Sequence, residues 1–187
     1  MPSLTYGRYV LFSATGIHLF AASMLVPIYA LFAEEIGASV FQVGLLASTA
    51  FAAKFCVVLI LRALADSISQ PLYLLLLSYL LHGLAWASLL FVTTTTGLFI
   101  IQVINGFSYA TGAPAYRTLL ARHLPRSRAV RMYASWELIK AVTGLVASII
   151  GAGIVAVAGF SVLFQVMVLL SILSFFWLWS MRKMLCS

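Results

Sequence analysis

Two stretches of the sequence decide the fold: VPIYALFAEE at residues 26–35 and APAYRTLLARH at residues 113–123. Both contain the phrase Pro-x-Tyr, and the second copy lies 87 residues after the first. The first copy runs into two glutamates, whereas the second runs into arginines. A recurring phrase with reversed flanking charge indicates two related units that enter a membrane from opposite sides.

The composition predicts a membrane protein. Of the 187 residues, 64% are hydrophobic and 8% are charged, whereas soluble domains are about 45–50% apolar and about 25% charged. A bilayer core of about 30 Å requires about 20 apolar residues in a helix. We predict an all-α fold, a single six-helix domain over residues 1–187, with transmembrane spans at about 9–33, 40–63, 71–92, 97–117, 132–156 and 161–181.

The positions of the basic residues predict the orientation. A formal net charge of +7 would suggest a nucleic-acid partner in a soluble protein. Here nine of the eleven Lys and Arg residues lie at span ends that share one side of the membrane, and the opposite loops carry Glu34 and Glu35. The positive-inside rule therefore predicts that both termini are cytoplasmic. We expect a multi-pass protein of the plasma or inner membrane, with no nucleic-acid partner.

The same offset of 87 residues relates whole spans. It carries span two onto residues 127–150 and span three onto residues 158–179, close to spans five and six. The chain is thus predicted to consist of two inverted three-helix repeats, at about 9–92 and 97–181. An odd number of spans per repeat reverses the second copy, which explains the change of charge. Inverted repeats are typical of secondary transporters, whose substrate site lies near the bilayer midplane between the repeats.

Three stretches resemble the major facilitator superfamily. RALADSISQP at residues 62–71 resembles the family's loop between helices two and three, in which Asp66 is the matching acid. QVINGFSYATGAP at 102–114 resembles its Arg-x-x-x-Gly stretch in helix four, with Gln102 at the arginine position. LPRSRAVRMYASWELIKAVTGLVASIIGAG at 124–153 resembles its Pro-x-x-Arg-Gly loop and glycine-rich fifth helix. Family members have twelve helices, so the resemblance implies an N-terminal-like half that needs a second six-helix half.

The resemblance also implies which side chains line the pathway, because spans one and four surround it in the family. The offset of 87 places His18 and Asn105 at equivalent positions. His18 could couple protons, since histidine titrates near neutral pH, or it could be a hydrogen-bonded structural residue. His82 is expected to be structural, on the outer flank of the bundle. The candidate pathway residues are His18, Tyr29, Gln102, Asn105, Ser108 and Tyr116.

Charged residues inside spans form a second candidate set, because each costs about 2.5–3.5 kcal/mol to insert. In one interpretation Glu137 and Lys140 neutralise each other across one helical turn, while Lys54 extends its ammonium group to the membrane surface. In the other, the resemblance implies that helices two and five face their counterparts in the second half. Lys54 would then pair with Glu137 of a second copy as a gate, and Asp66 would approach the helix start near Arg131. The candidate gating residues are Lys54, Asp66, Arg131, Glu137 and Lys140.

Enzymatic classes fit the sequence poorly. Ser108 follows Gly106 as in an intramembrane serine protease, but such a protease needs a membrane-embedded histidine on a later helix, and His123 lies in a basic loop. The three histidines lack metal-ligand spacing, so we expect no catalytic residue, metal or cofactor. The sequence favours a half-size secondary active transporter that moves an unknown small molecule, with protons as a candidate second substrate, by alternating access. It would work in the lipid bilayer as a homodimer or with a separate half. The alternative is a non-transporting accessory or scaffold subunit, or the N-terminal half of a split transporter.

Overall fold

A computed structural model describes residues 2–64, 70–122, 129–180 and 182, and every regular element within these ranges is a helix. Asp66, one of the candidate gating residues, lies outside the described residues. The elements are α1 (Pro2–Leu25), a 3₁₀ turn (Val26–Ile28), α2 (Tyr29–Glu35), α3 (Val40–Ala63), α4 (Pro71–Leu89), α5 (Thr95–Arg122) and α6 (Ala129–Ser180).

Four stretches of the described chain are long and apolar enough to cross a membrane, namely Tyr9–Glu35, Val40–Ala63, Pro71–Leu89 and Tyr133–Ser180. A transmembrane helix needs about 17–25 residues, so the last stretch, with its 48 residues, is long enough for two crossings. Helix α5 is long enough but more polar. The all-α membrane class predicted from composition is therefore confirmed.

Helix α6 reverses direction at Gly159, whose φ of 82° and ψ of 172° are not helical. At the middle of α1, the Trp136 ring stacks on Phe12 at 5.4 Å and the Trp177 indole donates to Ser13 Oγ at 3.1 Å. A straight helix would separate Trp136 from Trp177 by about 60 Å at 1.5 Å per residue. Residues 129–158 and 160–180 therefore form a helical hairpin.

The two Pro-x-Tyr copies differ in local structure. Proline lacks an N–H and its ring crowds the preceding turn of a helix. At Pro27 the chain leaves the α-helix for the 3₁₀ turn Val26–Ile28 and resumes it at Tyr29. Pro114, in contrast, lies inside the continuous helix α5. The repeat is thus not reproduced at the level of local backbone.

Two glycines allow the backbones of neighbouring helices to approach closely. A Cβ added to Gly106 of α5 would lie 2.5 Å from the Ala50 carbonyl oxygen of α3, and one added to Gly151 of α6 would meet the Met24 backbone of α1. Small residues permit such backbone contact in membrane helix pairs. The bundle accordingly packs α5 against α3 and α4, and α6 against α1 and α4.

Two apolar clusters occupy opposite ends of the bundle. One contains Met24, Trp86 and Phe164, and the other contains Leu11, Leu72 and Trp136. Buried polar side chains, including His18, His82 and Ser108, lie between them along the helices. The helices are therefore fixed at both ends around a polar middle layer.

We expect Gly159→Ala to lower the free energy of unfolding by about 1–3 kcal/mol, because its backbone conformation is open essentially to glycine alone. Gly153→Ala is the matched control, since the added methyl group meets no atom within 4 Å and alanine favours the helix. Unfolding of both variants in mixed micelles, titrated with a denaturing detergent, measures the difference. Equal stability of the two variants would contradict the hairpin at Gly159.

Candidate functional site: a polar and aromatic cavity

A cavity of about 220 Å³ lies among α1, α4, α5 and the first half of α6. Each helix contributes one stripe of side chains with the i, i+3, i+4, i+7 type of spacing that places residues on a single helical face. The lining residues are Thr15, His18, Leu19 and Ala22 of α1; Leu75, Ser78, Tyr79 and His82 of α4; Ser108, Tyr109, Gly112, Ala113, Tyr116 and Arg117 of α5; and Tyr133, Trp136, Glu137 and Lys140 of α6.

A hydrogen-bonded network joins three helices at one end of the cavity. His18 Nε2 lies 3.0 Å from His82 Nδ1, and Ser108 Oγ lies 2.6 Å from the same nitrogen. Ser108 Oγ also lies 2.7 Å from the carbonyl oxygen of Ser78, to which it can donate. His18 and His82 are only 7% and 3% exposed. The network therefore ties α1, α4 and α5 together where water does not reach the ring nitrogens.

This network leaves two nitrogens over. His18 Nδ1 and His82 Nε2 are buried and have no hydrogen-bond partner among the described residues. If His82 Nδ1 carries the proton, His18 keeps a free N–H and His82 a free lone pair. If His82 Nδ1 accepts instead, the free N–H and the free lone pair change places. Either tautomer of the neutral pair leaves one donor and one acceptor unpaired, an uncommon arrangement for buried groups.

Aromatic packing forms the opposite end of the cavity. The rings of Tyr116 and Trp136 lie 4.6 Å apart between centroids, and the Phe12 ring also stacks on Trp136. Arg117 follows directly on α5 and is exposed. The cavity thus extends from the buried histidines to a cation that solvent can reach.

One wall of the cavity carries an ion pair. Lys140 Nζ lies 2.6 Å from Glu137 Oε2, three residues away on α6. This geometry agrees with the interpretation in which the two residues neutralise each other. The Glu137 side chain is still 66% exposed, so its carboxylate has room for a second cation.

The remaining predicted pathway residues lie elsewhere. Tyr29 is beside Gln102, and Gln102 Oε1 accepts a hydrogen bond from Asn105 Nδ2 at 3.2 Å. None of the three lines the cavity. The structure therefore divides the predicted set: His18, Ser108 and Tyr116 lie together at the cavity, whereas Tyr29, Gln102 and Asn105 form a separate polar group.

The predicted gating residues divide in the same way. Glu137 and Lys140 line the cavity. Lys54 and Arg131 are exposed and do not line it. Within the described chain, Lys54 has no ion-pair partner.

The expectation for His82 was wrong in position. We placed its helix on the outer flank, but α4 packs between α5 and α6 and directs His82 towards His18. Tyr79, one turn earlier, donates to Thr15 Oγ1 at 2.8 Å, and its ring stacks on His18 at 4.1 Å. The helical spacing of Ser78, Tyr79 and His82 is a signal that could have revealed this polar face. Sequence reasoning also missed Thr15, Tyr109, Arg117, Tyr133 and Trp136 as lining residues.

Apolar helices that surround a cavity with polar and charged walls are typical of a membrane protein with a functional site. A match to the Major Facilitator Superfamily covers residues 11–184, almost the whole chain, and the chain belongs to this family. The resemblance inferred from the sequence motifs is thereby confirmed. Members of this superfamily are transporters rather than enzymes. No curated protein sequence matches the chain.

Ser108→Ala should lower the free energy of unfolding by about 1 kcal/mol, because it removes a buried group that bonds both His82 and the Ser78 carbonyl. Ser88→Ala is the control: its exposed hydroxyl bonds only the Leu84 carbonyl of the same helix, so the effect should stay within about 0.5 kcal/mol. Denaturing-detergent titrations of both variants provide the measurement. Indistinguishable variants would show that the network does not hold the helices together.

Proposed function

We propose that the chain is a half-size secondary active transporter that moves a small molecule by alternating access, together with a second six-helix unit. A second copy of the chain is the partner that its charges favour. Family membership supplies the transport class. The observation that supports alternating access with a second unit is the cavity. Its polar stripe runs along four helices and ends among charged side chains on an exposed face.

The helix contacts support six crossings arranged as inverted repeats. A two-fold relation between the repeats exchanges α1 with α5 and α3 with the first half of α6. It therefore requires that a contact between α1 and α6 be matched by one between α5 and α3. Both contacts occur, at Met24 with Gly151 and at Ala50 with Gly106. The hairpin at Gly159 supplies the sixth helical segment.

The exposed charges support a companion unit. Lys54 lies in an apolar helix whose exposed residues include Phe51 and Phe55, and an ammonium group facing hydrocarbon is unfavourable. Glu137 keeps most of its carboxylate accessible although Lys140 already pairs with it. In a two-fold dimer that joins α3 of one copy to α6 of the other, Lys54 and Glu137 would complement each other twice.

Such an assembly gives alternating access a simple mechanism. The two units would enclose the cavity between them, and rocking of one unit against the other would open it to either side. Ion pairs between Lys54 and Glu137 would form in one state and separate in the other. Lys140 would stay paired with Glu137 while the units are apart. The Glu137 carboxylate would then never be left unpaired in the membrane.

Accessibility of the cavity from both sides tests the transport mechanism. In a Cys56→Ser, Cys186→Ser background, Tyr109→Cys places a thiol on the cavity wall, and Phe107→Cys places one on a similarly exposed face of α5 that does not line the cavity. An impermeant maleimide should label Tyr109→Cys in both inside-out and right-side-out vesicles, but Phe107→Cys in neither. Labelling of Tyr109→Cys from one side only would favour an accessory or scaffold subunit.

Charge exchange tests the dimer. Lys54→Glu and Glu137→Lys should each reduce the dimer fraction severalfold, through like-charge contacts, and the double exchange should restore it. Lys54→Glu combined with Glu34→Lys has the same net charge but should not restore the dimer, because Glu34 lies on α2. Native mass spectrometry in mild detergent gives the fractions. Equal rescue by both combinations would indicate an effect of net charge alone.

A further inference from the structure

We infer that the cavity binds a small organic anion with a flat, unsaturated body, such as an aromatic carboxylate. This inference rests on the proposed function, since it names the substrate class of the same cavity. Four properties of the lining lead to it: the sign of its charge, the kind of ring surface that it exposes, the polar groups that it lacks and its size.

The lining has an excess of one positive charge. Arg117, Glu137 and Lys140 are its three charged side chains. Lys140 pairs with Glu137, whereas Arg117 has no ion pair within the part of the chain that the structure describes. A cleft with low-dielectric walls and charge of one sign concentrates ligands of the opposite sign. The unmatched guanidinium therefore selects for an anion, and its planar donors suit a carboxylate.

The available ring surface belongs to two tyrosines. Tyr109 of α5 and Tyr133 of α6 are 46% and 39% exposed and line the cavity. The Tyr109 ring makes one edge-to-face contact, with His82 at 4.6 Å between centroids, whereas Tyr116 and Trp136 are buried and pack against each other. Aromatic rings bind other flat rings in offset or edge-to-face geometries. A planar ligand body in the cavity could pack on the exposed ring surface of Tyr109 and Tyr133.

Among the described residues, the lining carries hydroxyl, imidazole and charged groups but no side-chain amide, which would offer a donor and an acceptor side by side to a sugar. It contains no Asn, Gln or Asp among the described residues, because Gln102 and Asn105 bond each other outside the cavity. The part of the cavity that one copy forms has a volume of about 220 Å³, compared with about 300–1,000 Å³ for complete sites of drug-sized ligands. These features favour a compact ligand with one charged group over a sugar or a large amphiphile.

A series of four small probes separates these contributions. The purified chain in neutral detergent is titrated with benzoate, benzyl alcohol, benzylammonium and acetate, with Trp fluorescence as the readout because Trp136 lines the cavity. Benzoate should bind saturably and at least tenfold more tightly than the other three. Tighter binding of benzylammonium, or equal binding of benzyl alcohol, would overturn the inference.

Three cavity variants test where the anion binds. Arg117→Gln should weaken benzoate binding about tenfold, by loss of a charge-assisted contact. Lys140→Gln should also weaken it, because it leaves the Glu137 carboxylate without its partner in the cavity. Glu137→Gln should tighten it severalfold, since it removes a competing carboxylate and frees Lys140. Arg62→Gln, an exposed cation at the end of α3 outside the cavity, should leave it unchanged. Weakening by Glu137→Gln, or equal effects of Arg117→Gln and Arg62→Gln, would contradict the assignment. A misfolded variant cannot produce the gain expected for Glu137→Gln.

A phospholipid headgroup presents the same anionic chemistry, so one arm of the experiment addresses it. Dioctanoyl phosphatidylglycerol is titrated alone and in competition with benzoate. Binding of this lipid that depends on Arg117, without binding of benzoate, would assign the cation to lipid and overturn the inference. Failure of a lipid excess to displace bound benzoate would support it.

The binding assay is independent of transport. Selective benzoate binding with one-sided labelling of Tyr109→Cys would support the ligand class while contradicting the transporter. Two-sided labelling of Tyr109→Cys without any preference for benzoate would support the transporter while contradicting the ligand class.

Discussion

The contact on which the rest of the structure depends is that of Ser108 and His18 with a single nitrogen of His82. Apolar clusters fix the two ends of the bundle, and between them hydrogen bonds, which depend on direction as well as distance, join α1, α4 and α5. A hydrogen-bond donor or acceptor buried without a partner is unfavourable by about 1–3 kcal/mol. The three polar groups therefore fix both the rotation and the register of their helices.

The cavity follows from that register. Once Ser78, Tyr79 and His82 of α4 face inward, the tyrosines and Arg117 of α5 follow on the adjoining stripe. Helix α6 then closes one wall with Trp136 and the Glu137–Lys140 pair. Charge, ring surface and unpaired imidazole nitrogens consequently meet in one space, although they come from four helices and are distant in sequence.

Much of the helical frame could be predicted from the sequence. Residues 40–63 were predicted as a span and form Val40–Ala63, because Ser39 caps the helix start with its side chain. Pro71 similarly marks the start of α4, since proline is tolerated in the first helical turn. The break between the fifth and sixth predicted spans falls at Gly159, where the glycine permits the reversal.

The site was less predictable, for a physical reason. A polar residue in the middle of a span needs a hydrogen-bond partner. The sequence does not show towards which neighbouring helix that residue points. Asn105 and Ser108 are three residues apart on α5; Asn105 bonds Gln102 within the helix, whereas Ser108 reaches α4. His82 was misplaced because the general position of the third span was given more weight than the pattern of its own side chains. The structure alone showed the pairing of two histidines 64 residues apart.

The interruption at Pro27 has a mechanical consequence. A 3₁₀ turn has poorer hydrogen-bond geometry than the α-helix on either side of it, so the first helical stretch has a compliant joint between Leu25 and Tyr29. The joint lies between the histidine network and the Phe32–Phe164 edge contact. A change in the direction of α2 relative to α1, which is anchored at His18, would therefore be taken up at this joint. Helix α5, which is continuous through Pro114, has no such joint at the equivalent position.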